Sequence, residues 1–282
     1  MLQPRCQRTI AEKVSCSGVG LHGGHAVQIT LRPERPGRGI VFQRRFAGEL
    51  IEIPAHAECV VSTDHATSIA VGDARIATVE HLLASLYAMQ IDNVVVEVDG
   101  DELPVLDGSA RGFVDLIDEA GAYEQDAVCD VHAVCEPIEI VEGNRRIRID
   151  PAPVLRISYA IDFDHSSIGR QTFEIEALDR AAFERDVAAA RTFGFLEDVE
   201  ALWRVGLARG GSLANTLVLD AEGVVNEEGL RFPDEFVRHK VLDLIGDLAL
   251  LGMPLCGHVS VERGGHALHQ RLVRRLRLEA AG

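Results

Sequence analysis

The stretch PDEFVRHKVLDLIGDLALLG, residues 233–252, carries the pattern that decides the fold of this chain. At about 100° per residue, positions four apart stack along one face of an α-helix. His239, Asp243 and Asp247 therefore share one face of a helix that the spacing predicts over residues 233–251. Aliphatic side chains occupy nearly the opposite face, where a helix contacts the protein core. They are Val237, Val241, Leu244, Ile245, Leu248 and Leu251.

The polar stripe of this helix has two interpretations. A histidine and an aspartate at positions i and i+4 can bind one metal ion, as the two histidines of an H-E-x-x-H helix do. A solvated polar face is the alternative, and it is the commoner one for an arbitrary amphipathic helix. The stripe alone therefore does not establish a metal site, and the rest of the chain has to decide.

Composition narrows the class of protein. The 282 residues are 47% hydrophobic, enough for one large domain or two of about 140 residues. The net charge of −16 disfavours nucleic acid and anionic membrane surfaces as partners. No run approaches the ~18 apolar residues of a membrane span, and residues 1–13 lack the apolar segment of a signal peptide. The six cysteines form no C-x-x-C pair, so we expect reduced thiols and a cytoplasmic protein.

The first half of the chain shows a helix, a strand and a second helix in succession. Periodicity predicts a helix over residues 78–89, with Thr78 as its N-cap. A Val-rich strand follows at 93–98, and a second helix is predicted at 109–120, where Gly121 would end it.

The second half repeats this order. The helix that carries the polar stripe is followed by a strand at 257–262 and by a helix at 267–277. The repeat predicts a duplicated α+β architecture with an N-terminal domain at 1–126 and a C-terminal domain at 127–282. The polar stretch around 121–132 is the expected linker.

The first predicted helix carries two polar residues away from its aliphatic stripe. Glu80 and His81 lie in TVEHLLASL, on the side of the helix that the aliphatic residues leave free. An exposed histidine beside an acidic residue at a helix N-terminus is the alternative. Two histidines and one aspartate from two helices would make a three-ligand zinc site with a fourth position open for water. Glu80 would then be placed to take a proton from that water.

Two further motifs could supply catalytic groups. Gly264 and Gly265 let the backbone turn sharply after a strand, so that His266 projects from the turn. His266 could act as a general acid with Asp247 orienting its ring; a polar residue that caps the last helix is the alternative. Thr192 of the ARTFGF motif could donate its hydroxyl to an oxyanion.

Seven motifs occur here in the order seen in one protein family. They are SGVGLHGG (17–24), ATVEHLLASL (77–86), DNVVVEV (92–98), LPVLDGSARGFV (103–114), ARTFGF (190–195), GLRFPDEFVRHKVLDLIGDL (229–248) and GGHAL (264–268). On these motifs the chain resembles the UDP-3-O-acyl-N-acetylglucosamine deacetylase family. These zinc amidases commit Gram-negative bacteria to lipid A synthesis. The resemblance spans nearly the whole chain, and residues 231–247 are its most specific part.

The resemblance implies a fold and a metal site. The fold is two α+β domains of similar topology, each with a sheet and helices, and with the helices sandwiched between the two sheets. The active site lies between the domains. The family's zinc ligands fall on His81, His239 and Asp243.

The resemblance also implies roles for the groups around the metal. The general base falls on Glu80, and the catalytic histidine that helps to expel the amine falls on His266. The carboxylate that orients this histidine falls on Asp247, and the hydroxyl that faces the oxyanion falls on Thr192. The reaction implied is hydrolysis of an acetamide to an amine and acetate.

On the substrate side, the resemblance implies an acylated UDP-N-acetylglucosamine that Lys240 and Phe163 bind. It also implies a β-α-β insertion at about 195–219, which forms an apolar passage for the acyl chain. Gly264 stands where the family often has a serine. We further expect a monomer that binds no nucleic acid and is not stably inserted in a membrane.

Two other functions stay open at this stage. One is a zinc hydrolase that acts on a different acylated sugar with the same scaffold. The other is a metal-dependent binding protein without catalytic activity. Glu80 and His266 argue against the second, because binding alone requires neither a base nor an acid.

Overall fold

The computed structural model describes residues 5–280, which form six α-helices and eighteen β-strands. Residues 1–4 lie outside this range. They belong to the predicted N-terminal domain and to the segment 1–13, which is predicted not to be a signal peptide. The last two residues of the predicted C-terminal domain also lie outside this range. The helices are α1 (Glu80–Ala88), α2 (Arg111–Ala120), α3 (Arg180–Asp186), α4 (Leu196–Arg204), α5 (Glu235–Ala249) and α6 (His266–Ala280).

The strands follow the same chain order. They are β1 (Cys6–Ile10), β2 (Val14–Val19), β3 (Ala26–Pro33), β4 (Ile40–Phe46), β5 (Glu49–Pro54), β6 (Val60–Ser62), β7 (Ser68–Val71), β8 (Ala74–Ile76), β9 (Val94–Val98), β10 (Ala122–Val128), β11 (His132–Ala133), β12 (Ile138–Glu142), β13 (Arg145–Asp150), β14 (Leu155–Asp162), β15 (Arg170–Ile175), β16 (Phe193–Phe195), β17 (Leu217–Leu219) and β18 (Leu255–Glu262).

The two large sheets have the same topology. The first has the strand order β2-β3-β9-β4-β5, and the second has the order β12-β13-β18-β14-β15, with β11 beside β18. In each sheet the central strand, β9 or β18, is antiparallel to one neighbour and parallel to the other. Each central strand also stands between two helices in the chain. The predicted duplication is therefore confirmed, although the two halves share little sequence.

The helices lie between the two sheets. Helix α2 contacts β2 of the first sheet and also α1, which packs along α5. Helix α5 contacts β14 and β15 of the second sheet, and α6 contacts β12 and β13. This arrangement confirms the predicted α+β fold with a helical layer between two sheets.

The polar stripe of α5 is buried, so its interpretation as a solvated face is wrong. His239, Asp243 and Asp247 are only 2%, 3% and 0% exposed. The aliphatic face of α5 packs in the core, as predicted, but α1 covers the polar face. Glu80 and His81 of α1 are equally buried, at 3% each, so the exposed-histidine alternative is also wrong.

The backbones of helices α1 and α5 approach each other closely at Gly246. A Cβ atom at this position would lie 2.1 Å from the carbonyl oxygen of Glu80, well inside van der Waals contact. Only glycine allows the two backbones to come so near. The contact brings the first turn of α1 against the middle of α5, where the polar stripe lies.

Thr78 is not the N-cap of α1, contrary to the prediction. The helix begins at Glu80, and the capping position is Val79, which makes no side-chain capping bond. Thr78 has a φ of +57°, a left-handed conformation that is strained for a β-branched residue. Its hydroxyl donates to Oε1 of the buried Glu102 at 3.0 Å, which is a long-range contact that local sequence does not indicate.

The stretch 121–132, predicted as a linker, contains the strand β10, which pairs antiparallel with β1 near the start of the chain. Gly121 ends α2 with a φ of +65°, as predicted. The polar composition of residues 121–132 is typical of a linker, but it is equally compatible with a two-stranded antiparallel ribbon whose faces are exposed to solvent. The domain boundary that we propose, between residues 126 and 127, lies within this ribbon.

The predicted β-α-β insertion is confirmed, although it begins two residues earlier than the predicted 195–219. Strands β16 and β17 pair in parallel, and α4 lies between them in the chain. The insertion also binds the first half, because the amide groups of Arg209 and Gly210 donate to the carbonyls of His22 and Leu21.

Two predictions from composition concern the cysteines and membrane-spanning helices. All six cysteines are free, and two of them, Cys129 and Cys256, are buried. No helix within residues 5–280 combines the length and the apolar character needed to cross a membrane.

We expect Gly246→Ala to lower the free energy of unfolding by about 1–3 kcal/mol, because an added methyl group forces a packed contact apart. Helix propensity alone favours alanine by about 0.5–1 kcal/mol, so a net loss would identify the contact as its cause. Urea unfolding followed by circular dichroism measures the change. Gly194→Ala is the control, since no heavy atom of the described residues beyond the chain neighbours lies within 4 Å of a Cβ there. A Gly246→Ala protein as stable as wild type would contradict the close contact.

Candidate active site

Three buried side chains converge where α1 meets α5. Nε2 of His239 lies 3.4 Å from Oδ1 of Asp243, and Nε2 of His81 lies 3.8 Å from the same oxygen. The second separation is too long for a hydrogen bond and the first is marginal. Ligand atoms about 2.0–2.2 Å from a tetrahedral zinc ion lie about 3.4 Å from one another. The three groups therefore fit a metal ion better than they fit one another, and their ligand atoms lie within 4.8 Å of each other.

The tautomer of one imidazole is fixed by the backbone. Nδ1 of His239 lies 3.1 Å from the carbonyl oxygen of Ala190, so this nitrogen carries the proton and donates it. Nε2 is then unprotonated and faces Asp243, as a metal-binding imidazole requires. The ring of His81 stands edge-on to that of His239, with 5.1 Å between the ring centroids.

The protonation states of the three groups also suit a metal ion. Burial, helped by the neighbouring His239, lowers the pKa of His81 to about 3, and burial also lowers the pKa of His239. Burial alone would raise the pKa of Asp243, but His239 and Lys240 hold it well below its ordinary value. At neutral pH the site therefore offers two neutral imidazoles and one carboxylate, which is the ligand state that metal binding needs.

Glu80 lies beside this group, and burial raises its pKa to about 8. The backbone N–H of Thr67 donates to Oε2 of Glu80 at 3.1 Å. The other oxygen, Oε1, lies 4.0 Å from Nε2 of His266. A carboxylate whose pKa is near neutrality can take up and release a proton at physiological pH.

His266 begins α6 and faces the same space. Burial alone would lower its pKa, but Asp247, with Asp243 and Glu80, raises it to about 9. Nδ1 of His266 lies 2.8 Å from Oδ2 of Asp247, while Nε2 lies 4.0 Å from Oδ2 of Asp243. An imidazolium is therefore held with its free N–H toward the group of ligand atoms.

Asp247 accepts four hydrogen bonds. Thr67 Oγ1 at 2.6 Å and Gln270 Nε2 at 3.1 Å donate to its Oδ1. His266 Nδ1 and His269 Nδ1, each at 2.8 Å, donate to its Oδ2. Burial alone would raise the pKa of Asp247, but the two histidines keep it well below its ordinary value, so the carboxylate stays ionised.

Comparison with known proteins identifies the family. A family model described as UDP-3-O-acyl N-acetylglycosamine deacetylase matches residues 7–277. The chain belongs to this deacetylase family. It is 51% identical over 270 residues to the UDP-3-O-acyl-N-acetylglucosamine deacetylase of Anaeromyxobacter sp. strain Fw109-5, covering 96% of this chain and 88% of that protein. It is 49% identical to the enzyme of the same name from Myxococcus xanthus, covering 96% and 86% of the two chains. A third, from Oleidesulfovibrio alaskensis, is 47% identical over 95% and 88%. The chain is thus a deacetylase and a hydrolase.

Thr192, predicted to face the oxyanion, directly precedes a residue that packs against this centre. Thr192 is half-buried, and its backbone N–H donates to the carbonyl of Gly108 at 2.8 Å. The next residue, Phe193, packs edge-on against His239, with 6.3 Å between the ring centroids. Arg191, the cation of ARTFGF, does not face the site, because it is buried in an ion pair with Glu235.

A cavity of about 500 Å³ lies on the side of the centre where Lys240 stands. Phe163, Arg145 and Arg263 also line it. Lys240 contacts both regions, because its Nζ donates to Oδ2 of Asp243 at 3.0 Å. Both residues predicted to bind substrate, Lys240 and Phe163, therefore line one cavity, and Lys240 joins it to Asp243 of the candidate metal site.

Sequence reasoning missed Thr67, His269 and Gln270. The last two follow His266 at i+3 and i+4, so helical spacing could have placed them near the same carboxylate. No local signal identifies Thr67. It lies just before β7, in a polar segment, and reaches Glu80 and Asp247 only through the tertiary fold.

We expect Asp243→Ala to lose bound metal and Asp247→Ala to keep it. The first variant removes a ligand atom, whereas the second removes the partner of His266 and leaves the two imidazoles and Asp243 in place. Metal content per chain after dialysis, measured by atomic emission, separates the two. Metal loss in Asp247→Ala with full occupancy in Asp243→Ala would place the site one helical turn further along α5.

Proposed function

We propose that this deacetylase is a zinc-dependent amidase that removes the N-acetyl group from UDP-3-O-(3-hydroxyacyl)-N-acetylglucosamine. The names of its relatives support deacetylation of a UDP-3-O-acyl-N-acetylglucosamine. The products are acetate and a free amine that continues to lipid A. One observation carries the mechanism: Glu80 and His266, 4.0 Å apart, lie beside a buried triad of His81, His239 and Asp243 that fits a metal ion, and the pKa values of Glu80 and His266 rise to about 8 and about 9.

His81, His239 and Asp243 would hold the zinc ion. When bound, zinc supplies Lewis acidity, which polarises a carbonyl oxygen and makes a water molecule more acidic. The hydrogen bond from Lys240 to Oδ2 of Asp243 leaves Oδ1 facing both imidazoles. Lys240 thus orients the carboxylate, as groups behind metal ligands commonly do.

Glu80 would take the proton from the attacking water. Its Oε2 is held by the N–H of Thr67, so Oε1 is the oxygen free to accept that proton. Burial raises the pKa of Glu80 to about 8, which strengthens it as a base. A cation bound next to Glu80 would lower this pKa again toward neutrality.

His266 would give its Nε2 proton to the amine as the carbon–nitrogen bond breaks. Asp247 holds Nδ1, so Nε2 points toward Glu80 and Asp243. Thr192 would donate its hydroxyl to the oxyanion that forms when water adds to the carbonyl. One water is consumed for each amide cleaved, and its oxygen ends in the acetate.

The cavity beside Lys240 would receive the nucleotide. Lys240, Arg145 and Arg263 are cations suited to a diphosphate, and Phe163 offers a ring on which a base can stack. These local contacts explain how a chain of net charge −16 would bind an anionic nucleotide-sugar. The acyl chain would follow the insertion β16–α4–β17, where apolar side chains including Leu196 and Trp203 are exposed.

Three further properties are proposed with this function. Free thiols at all six cysteines support a reducing compartment, the cytoplasm. The acidic net charge supports the absence of nucleic acid as a partner. We also propose a monomer, since each chain supplies a full set of ligands and proton-transfer groups.

We expect kcat/KM to fall as pH rises through the pKa of His266, because only the protonated ring can donate to the amine. The midpoint of this fall in kcat/KM should lie between 6.5, the ordinary pKa of histidine, and about 9. A bound dication lowers the pKa of His266 and so opposes the increase that Asp247 causes. Initial rates across pH measure this limb. His266→Gln should lower turnover and remove the limb; a Gln variant that keeps it would assign the ionisation to another group.

We expect the acylated UDP-sugar to be deacetylated with a much higher kcat/KM than plain UDP-N-acetylglucosamine, because remote binding energy of the acyl chain can be used in the transition state. Acetate release from the two compounds, measured side by side, tests this. Equal rates would contradict the acyl passage and would favour an amidase for another acylated sugar. Release from neither, with zinc bound, would contradict the proposed function.

A further inference from the structure

Asp247 binds a second histidine besides His266. Nδ1 of His269 lies 2.8 Å from Oδ2, the same oxygen that His266 uses. On its other side, Nε2 of His269 lies 3.1 Å from the hydroxyl oxygen of Tyr159. Both side chains are essentially sealed from solvent, His269 at 0% and Tyr159 at 1% exposed. The reaction described above uses neither of them.

The direction of each hydrogen bond in this chain of groups can be assigned. The ionised Asp247 can only accept, so Nδ1 of His269 must carry a proton. Burial lowers the pKa of His269, which keeps the ring neutral and leaves Nε2 unprotonated. Nε2 then accepts from the hydroxyl of Tyr159, whose pKa burial raises well above its ordinary value. Asp247 and Tyr159 therefore both favour the tautomer of His269 in which Nδ1 carries the proton, and Tyr159 adds to this preference from the Nε2 side.

Gly264 provides the room for this pair. A Cβ atom at Gly264 would lie 2.7 Å from the hydroxyl oxygen of Tyr159 and 3.2 Å from Nε2 of His269. It would also lie 2.3 Å from Cγ1 of Val261. The left-handed residue of this turn is Arg263, with a φ of +50°, so Gly264 is not required for its backbone conformation. The glycine matters because a larger residue would displace the Tyr159–His269 pair.

We propose that His269, held in its Nδ1–H tautomer by Tyr159, is a positioning residue for catalysis. Its N–H occupies one side of Oδ2 of Asp247, and the bonds from Thr67 and Gln270 occupy Oδ1. The carboxylate can then neither rotate nor accept a further donor, and it meets the ring of His266 at one fixed angle. The inference rests on the proposed role of His266 as the proton donor.

Two substitutions test which ring nitrogen of His269 is needed for full turnover. The amide of asparagine takes the place of Nδ1, whereas the amide of glutamine takes the place of Nε2. We expect His269→Gln to lower kcat by about 10–100-fold, the usual effect of losing a partner behind a catalytic group, with KM little changed. His269→Asn should keep most of the wild-type kcat. Both are assayed as metal-loaded enzyme with metal content verified.

Tyr159→Phe tests the tautomer directly. In enzyme labelled with ¹⁵N-histidine, long-range ¹H–¹⁵N spectra distinguish Nδ1–H from Nε2–H rings. Wild type should show His269 in the Nδ1–H form, and Tyr159→Phe should show a mixture with reduced kcat. Tyr87→Phe is the matched control, because the hydroxyl of this partly buried tyrosine accepts from the N–H of Leu255 and touches neither histidine. It should leave the tautomer unchanged.

The outcomes separate this proposal from the function on which it rests. Equal losses of kcat in the Asn and Gln variants would overturn the positioning role, since a purely structural residue gives no selective rescue. An Nε2–H form of His269 in wild type would overturn it as well. Near-normal turnover in His266→Gln would overturn the proton-donor role itself and this proposal with it, whatever tautomer His269 shows.

Discussion

The backbone contact between α1 and α5 at Gly246 is the constraint on which the site depends. Because a Cβ there would lie 2.1 Å from the carbonyl of Glu80, the two helices can meet only through a glycine. The contact joins two half-sites, since one half of the chain supplies Glu80 and His81 and the other supplies His239 and Asp243. Each polar face alone would bury charge without a partner, which is strongly unfavourable. The polar stripe is therefore compatible with the core only because the duplicated domains bring two such faces together.

Burial and neighbouring charges also give these groups different protonation states. His81 and His239 are neutral, and Asp243 is ionised, because a dry site favours neutral rings and the neighbouring cations favour the carboxylate. The pKa values of Glu80 and His266 both rise, to about 8 and about 9.

Most of the fold and the centre of the site could be predicted from sequence. Helix α5 was predicted within two residues at each end, because strict apolar spacing and a closing glycine are strong local signals. Burial of its polar stripe could not be predicted, since periodicity describes one face and says nothing about a second layer. Thr78 was misassigned for a similar reason: its hydroxyl is bound by Glu102, which is 24 residues away in the chain. Thr67 reaches Asp247 only through the tertiary fold, so only the folded structure reveals this contact.

In the proposed mechanism, one metal ion at His81, His239 and Asp243 is needed for amide hydrolysis. The most direct test removes metal from the purified enzyme with a chelator and then titrates zinc back while acetate release is measured. We predict that activity disappears with the metal and returns in proportion to zinc up to one equivalent per chain. A metal-free enzyme that still releases acetate at the full rate would contradict the account.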